Sequence, residues 1–391
     1  MDPRSSDAPE PGAPWRALDS LSVSGDKACA PQPSSPQQSN SQPPTHSDQL
    51  QEVLGLAEDV ATDKLHLTPD DEPIKFTISQ ESWLKLQEDP NFDLCTERNI
   101  FRVFFDSSRR LVTIMPPPSQ RHQSFIRFLT KLGYKTIFDT TPTLASKILI
   151  DTGMVVQTIT GEYESSEKVP DLVVKWKKDM YNIGDHTIVE VGNTQPLNDL
   201  RYLARLYLNG DTHIQRVILI DITETPRFRS LKSIDTSQEF RRDERTGAIW
   251  FGNVKVVGET KILWEVWERD TAGVPQPTFQ EVFAFGEMPS RSLPFLTITS
   301  EGVYGDATTW RGVDTSITPQ MIKNFWMENW ANSSYEDARR RMFPLLETYA
   351  RLTATNDYRV RRRTKEPTGS YYADFDRESD QYLQRQQFHL L

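Results

Sequence analysis

Apolar residues change their spacing several times along this chain, and each change predicts an element. Residues 76–87 read as an extended lead-in and a short helix carrying Trp83, Leu84 and Leu86. Residues 100–105 and 111–115 are β-rich runs joined by turn residues 106–110, which predicts a hairpin. Pro116, Pro117 and Pro118 stop the second run, and Ser119 can cap a helix of about fifteen residues. Its apolar face is Phe125, Ile126, Phe128, Leu129 and Leu132, with Gly133 as its end. A strand region at 147–159, interrupted by Gly153, precedes strands at 169–176 and 186–191. A helix at 197–209, ended by Gly210, and a strand at 214–221 follow. The order β, β, α, β, β, β, α, β predicts an α/β (α+β) fold, a mixed β-sheet flanked by helices.

Extra C-terminal strands are expected at 248–257, 262–269, 278–285 and 295–299. A helix from Pro319, capped by Thr318, puts Met321, Ile322, Phe325, Trp326 and Trp330 on one stripe, which reads as core. A last helix, opened by a capping box from Ser333 to Glu336, carries Met342, Leu345, Leu346 and Tyr349. Residues 1–47 are rich in Pro, Ser and Gln and bury too little to offset ordering entropy. Residues 48–61 space Leu50, Val53, Leu54, Leu56 and Val60 helically, as a marginal linker helix or a segment that folds on a partner. The expected organisation is a disordered N-terminal region 1–72, a domain 73–358 (core 77–221, extension 222–358) and a flexible tail 359–391 able to recruit protein partners.

Charge sharpens that division. Of 55 acidic and 45 basic side chains, residues 1–72 hold 13 and 4, so about −9 of the net −10 belongs to that region. The domain is near neutral, and the acidic total does not exclude DNA as a partner. Cys29 and Cys95 form no disulfide framework, and the first thirty residues have no apolar leader, so an intracellular setting, cytoplasmic or nuclear, is expected. No run of about 18 apolar residues predicts a membrane span. Glycine-rich phosphate loops, Cys/His metal spacing and a nucleophile elbow are all missing, so nucleotide-driven and zinc chemistries lose support.

The candidate chemistry lies in residues 170–191. Pro170 and Asp171 open one strand and Glu190 lies near the end of the next, with a polar segment between them. In a hairpin whose turn is centred between Met180 and Tyr181, Asp171 stands opposite Glu190. Two such carboxylates repel unless a cation lies between them, and hard oxygen donors favour Mg²⁺ or Mn²⁺. The site is therefore expected to hold a metal on Asp171 and Glu190.

An Asp after Pro on one strand, a Glu on the next, then a helix and a strand, resembles the PD-(D/E)xK superfamily of restriction-endonuclease-like nucleases. More narrowly, residues 77–221 resemble the Uma-type restriction endonuclease family. The likeness rests on 101–106 with Leu111 and Val112, 115–119 with His122, Pro170 with Asp171, 188–191, Asp199, Tyr207, Gly210 and 217–221. It implies a divalent-metal-dependent phosphodiesterase acting on DNA. Two departures stand out. The lysine expected two residues after the Glu is Gly192, and the position on the following helix to which the Uma-type pattern moves it is Leu203. The carboxylate expected near the first hairpin is replaced by Arg102 and Val103. Candidate substitutes are Gln195, which positions water, and Arg201 or Arg205, which clamp phosphate; His122 is a further substrate-binding candidate. Lys175 shares a face with Asp171 but lies about 13 Å further along the strand, at the surface or in a substrate channel. Two other readings stay open: a non-catalytic interaction or nucleic-acid-binding module on this fold, and carboxylates that are purely structural in an unrelated α+β protein.

Overall fold

Helix α1 (His46–Ala61) turns Leu50, Val53, Ala57 and Val60 to one side, and all four are buried. In this computed structural model the described residues are 46–98, 100–140, 148–157, 160–177, 183–228, 238–298 and 313–364. The expected disorder of residues 1–45, the turn at 178–182 and residues 365–391 lie outside them. The buried face of α1 moves the start of the folded unit back from the expected boundary at residue 72.

Strand β1 (Ile74–Thr77) leads into α2 (Gln80–Gln87), capped by Ser79, and α3 (Pro90–Glu97), capped by Asp89. The hairpin of β2 (Arg102–Asp106) and β3 (Leu111–Met115) forms as the pattern predicts. With β1 and the short strands β5 (Val156–Gln157) and β6 (Glu167–Lys168) it makes a five-stranded sheet in the order β1-β3-β2-β6-β5. Helices α1 to α3 cover this sheet, with Trp83 stacked on Phe105 at 5.0 Å.

The second sheet has six strands in the order β14-β13-β9-β8-β7-β4. These are β4 (Ile148–Asp151), β7 (Leu172–Lys177), β8 (Ile183–Gly192), β9 (Arg216–Thr225), β13 (Glu259–Arg269) and β14 (Pro275–Ala284). Only β8 and β9 run parallel, because α5 (Leu197–Gly210) supplies the crossover between them. The fold is thus mixed α+β. One face of this sheet packs on α4 (Gln120–Thr140) and the aromatic segment around Trp326, the other on α5. Strands β10 (Phe240–Arg242), β11 (Ile249–Phe251) and β12 (Val254–Val257) form a small sheet, and β15 (Leu293–Ile298) pairs with β16 (Val313–Ile317).

Two helices depart from expectation. Helix α4 runs through Gly133 to Thr140. A Cβ at Gly133 would lie 2.6 Å from Ile150 Cδ1, so this glycine permits a close helix–strand approach instead of ending the helix. The segment after Thr318 is continuous: α6 (Pro319–Phe325), a π-helical turn (Trp326–Trp330) and α7 (Ala331–Thr364). Ser333 and Glu336 therefore lie inside a helix and cap nothing, and α7 passes the expected tail boundary at 358. The stripe itself is core, with Phe325, Trp326 and Trp330 each at most 2% exposed. Among the described residues no helix is long and apolar enough to cross a membrane.

Candidate active site

The hairpin of β7 and β8 sets the site. Its register pairs Leu172 with Val189, Val173 with Ile188 and Val174 with Thr187, so the next step outward brings Asp171 opposite Glu190. A bulge after Val174 shifts the ladder beyond that point, away from the carboxylates. The expected turn centre falls at the end where the register has shifted, but the carboxylate end keeps the predicted pairing.

Asp171 is buried and fully engaged. Its Oδ2 accepts the Val191 N–H at 2.7 Å, and its Oδ1 meets His122 Nε2 at 2.9 Å and the Arg102 guanidinium. Glu190 accepts Tyr207 Oη on Oε1 and Lys168 Nζ on Oε2, both at 2.7 Å. Lys168 comes from β6, where it pairs with Phe104 of β2, and its Nζ also lies 5.8 Å from the centre of the Phe104 ring. The side chains of Lys168, Asp171, His122 and Glu190 are each at most 3% exposed.

These surroundings pull the two carboxylates in opposite directions. Burial works against ionisation of Asp171, but His122, Arg102 and Lys168 together overcome it and hold this carboxyl well below the usual range. Burial raises Glu190, and the neighbouring Asp171 charge adds to it against the opposing pull of Lys168 and Tyr207. Burial also raises the Tyr207 phenol, which keeps its proton and donates it to Glu190. A split of this kind separates a permanently anionic group from one able to carry a proton.

The remaining candidates are placed as follows. His122 joins Asp171 and so contributes to the site. Arg201 does not: its Nε donates to Glu265 Oε2 at 3.1 Å, on the far side of α5. Arg205 lies over the Trp267 ring at 5.3 Å, also away from the carboxylates. Both arginines fall on α5 positions that face β13 instead of β8. Among the described residues Gln195 makes no hydrogen bond to the carboxylates; it lines three neighbouring depressions, one of them shared with Lys168. Lys175 is buried, so the surface reading of that residue fails. Gly192 cannot be a lysine without disruption, because a Cβ there would lie 2.4 Å from Leu200 Cδ1. Leu203 belongs to the core under α5.

Sequence reasoning missed Lys168 and the role of Arg102. The nearest signal was the lysine three residues before Asp171. A two-residue strand has no periodicity, so nothing local marks that lysine as buried.

The residues fit a hard divalent ion in donor type and charge. Asp171 and Glu190 offer only oxygens, and Mg²⁺ commonly uses one or two carboxylates with water completing its shell. Arg102 and Lys168 now supply, on flexible side chains, the same two positive charges that such an ion would bring. Among the described residues no three His, Cys, Asp or Glu side chains gather to hold a metal ion of any kind, so water would complete the shell of an ion on these two carboxylates.

Arg102, His122, Lys168 and Asp171 lie at the floor of a cleft of about 1000 Å³ between α2, α3 and α4. No family model, curated protein or solved structure matches this chain.

Proposed function

We propose that the cleft is the active site of a divalent-metal-dependent phosphodiesterase of the PD-(D/E)xK type, acting on DNA inside the cell. The observation that carries this reading is the convergence of Lys168 on Glu190, with Asp171 opposite, where the sequence offered no lysine. Lys168 takes the place left empty by Gly192 and Leu203, from a strand outside the hairpin.

In this reading Asp171 and Glu190 would hold Mg²⁺ or Mn²⁺, which when bound supplies Lewis acidity and a more acidic water. The chain's own groups do the rest. Asp171 stays anionic at all working pH, and its position is fixed by His122 and the Val191 N–H. Glu190 would be ionised when it holds the ion, with the Lys168 ammonium on its Oε2. Lys168 orients the attacking water and stabilises charge on the phosphoryl oxygens, and Arg102 faces the phosphate from β2. Tyr207 keeps Glu190 in position from α5.

Cleavage of labelled DNA by the full chain with Mg²⁺ or Mn²⁺ is the test. Lys168→Met and Asp171→Asn are each expected to lower the rate by about 100-fold or more while the fold persists. Equal rates in both variants and wild type would refute the reading.

A second reading has its own support. All four carboxylate oxygens already have protein partners, and the Arg102 and Lys168 cations match the two carboxylates without a metal. That closure is what a nuclease-like fold serving as a non-catalytic binding module would show. Absence of Mn²⁺ binding with intact strand binding would select it.

A further inference from the structure

Access to the site, resting on the phosphodiesterase reading, limits what the substrate can be. Lys168 and Asp171 line the cleft together with residues of α2, α3 and α4, and Glu190 is bonded to Lys168. With these side chains at most 3% exposed, a reacting phosphate must enter the cleft instead of resting on a surface. A duplex keeps its bases paired along a stiff rod, with a persistence length of about 150 base pairs, and does not fold a phosphate into such a space. A volume of about 1000 Å³ suits a ligand of small-molecule size, and a few unpaired nucleotides meet that limit.

The charges point the same way. Arg127 and Lys131, one turn apart on α4, are exposed at the cleft and have no ion-pair partner among the described residues. The opposite wall carries Asp93 and Glu167, the latter bonded to Gln87. Two free cations serve about two phosphates, whereas tight duplex binders neutralise about six to ten. Three of the seven buried side-chain atoms without a partner among the described residues, Trp83 Nε1, Arg102 Nε and Thr130 Oγ1, belong to residues that line this cleft.

We infer that the cleft takes a single-stranded nucleic-acid segment of a few nucleotides and excludes the duplex. The test is fluorescence anisotropy of the full chain, in EDTA, with a labelled eight-nucleotide strand and with the same sequence inside a duplex. The strand is expected to bind at least tenfold more tightly, with a log–log salt slope of about −1.4 for two phosphates. Arg127→Glu with Lys131→Glu should weaken it at least tenfold; both residues are exposed, so the fold is expected to tolerate the change. Equal or tighter duplex binding, no strand binding, or strand binding indifferent to that double variant would overturn the inference. Strand binding without metal-dependent cleavage would sink the catalytic reading and leave this one standing. Duplex preference with metal-dependent cleavage would do the reverse.

Discussion

Two buried ionic clusters meet at consecutive residues of α4, and they are built to different ends. His122 turns to the cleft floor. Arg121 turns the other way, where its Nη2 donates to Glu224 Oε2 at 2.6 Å and its Nε to Asp337 Oδ2 at 2.9 Å. Arg341 closes that second cluster on Glu224 and Asp70, and Asp337 also accepts the Gln120 N–H at 2.9 Å, capping α4 from a helix 217 residues away in sequence. Burial opposes ionisation of Glu224, but two arginines and the Gly258 N–H outweigh it and lower its pKa to about 2. In the cleft, by contrast, one carboxyl is pulled down and its partner is pushed up. The second cluster holds its carboxylate Glu224 ionised, although Arg121 Nη1 is buried there without a partner among the described residues; the cleft pushes Glu190 the other way. Perturbed groups of that second sort beside a cleft mark a candidate site.

The largest effect should come from breaking the structural cluster. Glu224→Ala removes the carboxylate that Arg121 and Arg341 share, leaving each with one remaining acidic partner, Asp337 and Asp70, and is expected to cost about 3 kcal/mol in urea unfolding. A loss under about 1 kcal/mol would erase the contrast between the clusters. Lys168→Met should do the opposite, removing about 100-fold or more of cleavage. Its stability cost should be smaller, because Glu190 can take up a proton when its partner is gone.

Acid titration separates the clusters by sign. Glu224 has a folded pKa below its ordinary value, so its stabilisation is present above about pH 4.5 and disappears as pH falls towards 2. That loss amounts to about 3 kcal/mol, and Glu224→Gln should flatten the acid limb of a denaturation series. Asp171 works in the same direction. Glu190 is raised, so its contribution is present below the ordinary carboxylate range and is lost as pH climbs through its folded value. Glu190→Gln should flatten that rise-side loss, and an unchanged slope would contradict the split.

The smallest effect tests why the lysine moved. Gly192→Ala drives a Cβ to 2.4 Å from the tip of Leu200, at an expected cost of about 1–3 kcal/mol. Gly192→Lys in a Lys168→Met background should therefore fail to restore cleavage. Rescue would show that the position is open.

Local patterns carried most of the fold into view. The hairpin register at Asp171 and Glu190, the amphipathic α5 and the Trp326 and Trp330 core are short-range features with clear periods. The site was only half visible, because Lys168 and Arg102 arrive from β6 and β2 of another sheet. Lys168 reaches its neighbour Phe104 across 64 residues of sequence. Gly133 misled for a related reason: its helical pattern is local, but the approach of Ile150 that requires a glycine is not.

The central claim is that Lys168, Asp171 and Glu190 act together as a metal-dependent phosphodiesterase. Its most direct measurement is Mn²⁺-dependent cleavage of a labelled single strand by the full chain, wild type against Lys168→Met at matched folded fraction. Metal-dependent cleavage in the wild type, reduced about 100-fold or more in the variant, is the expected result. No cleavage in the wild type, or a variant that cuts as fast, would contradict it.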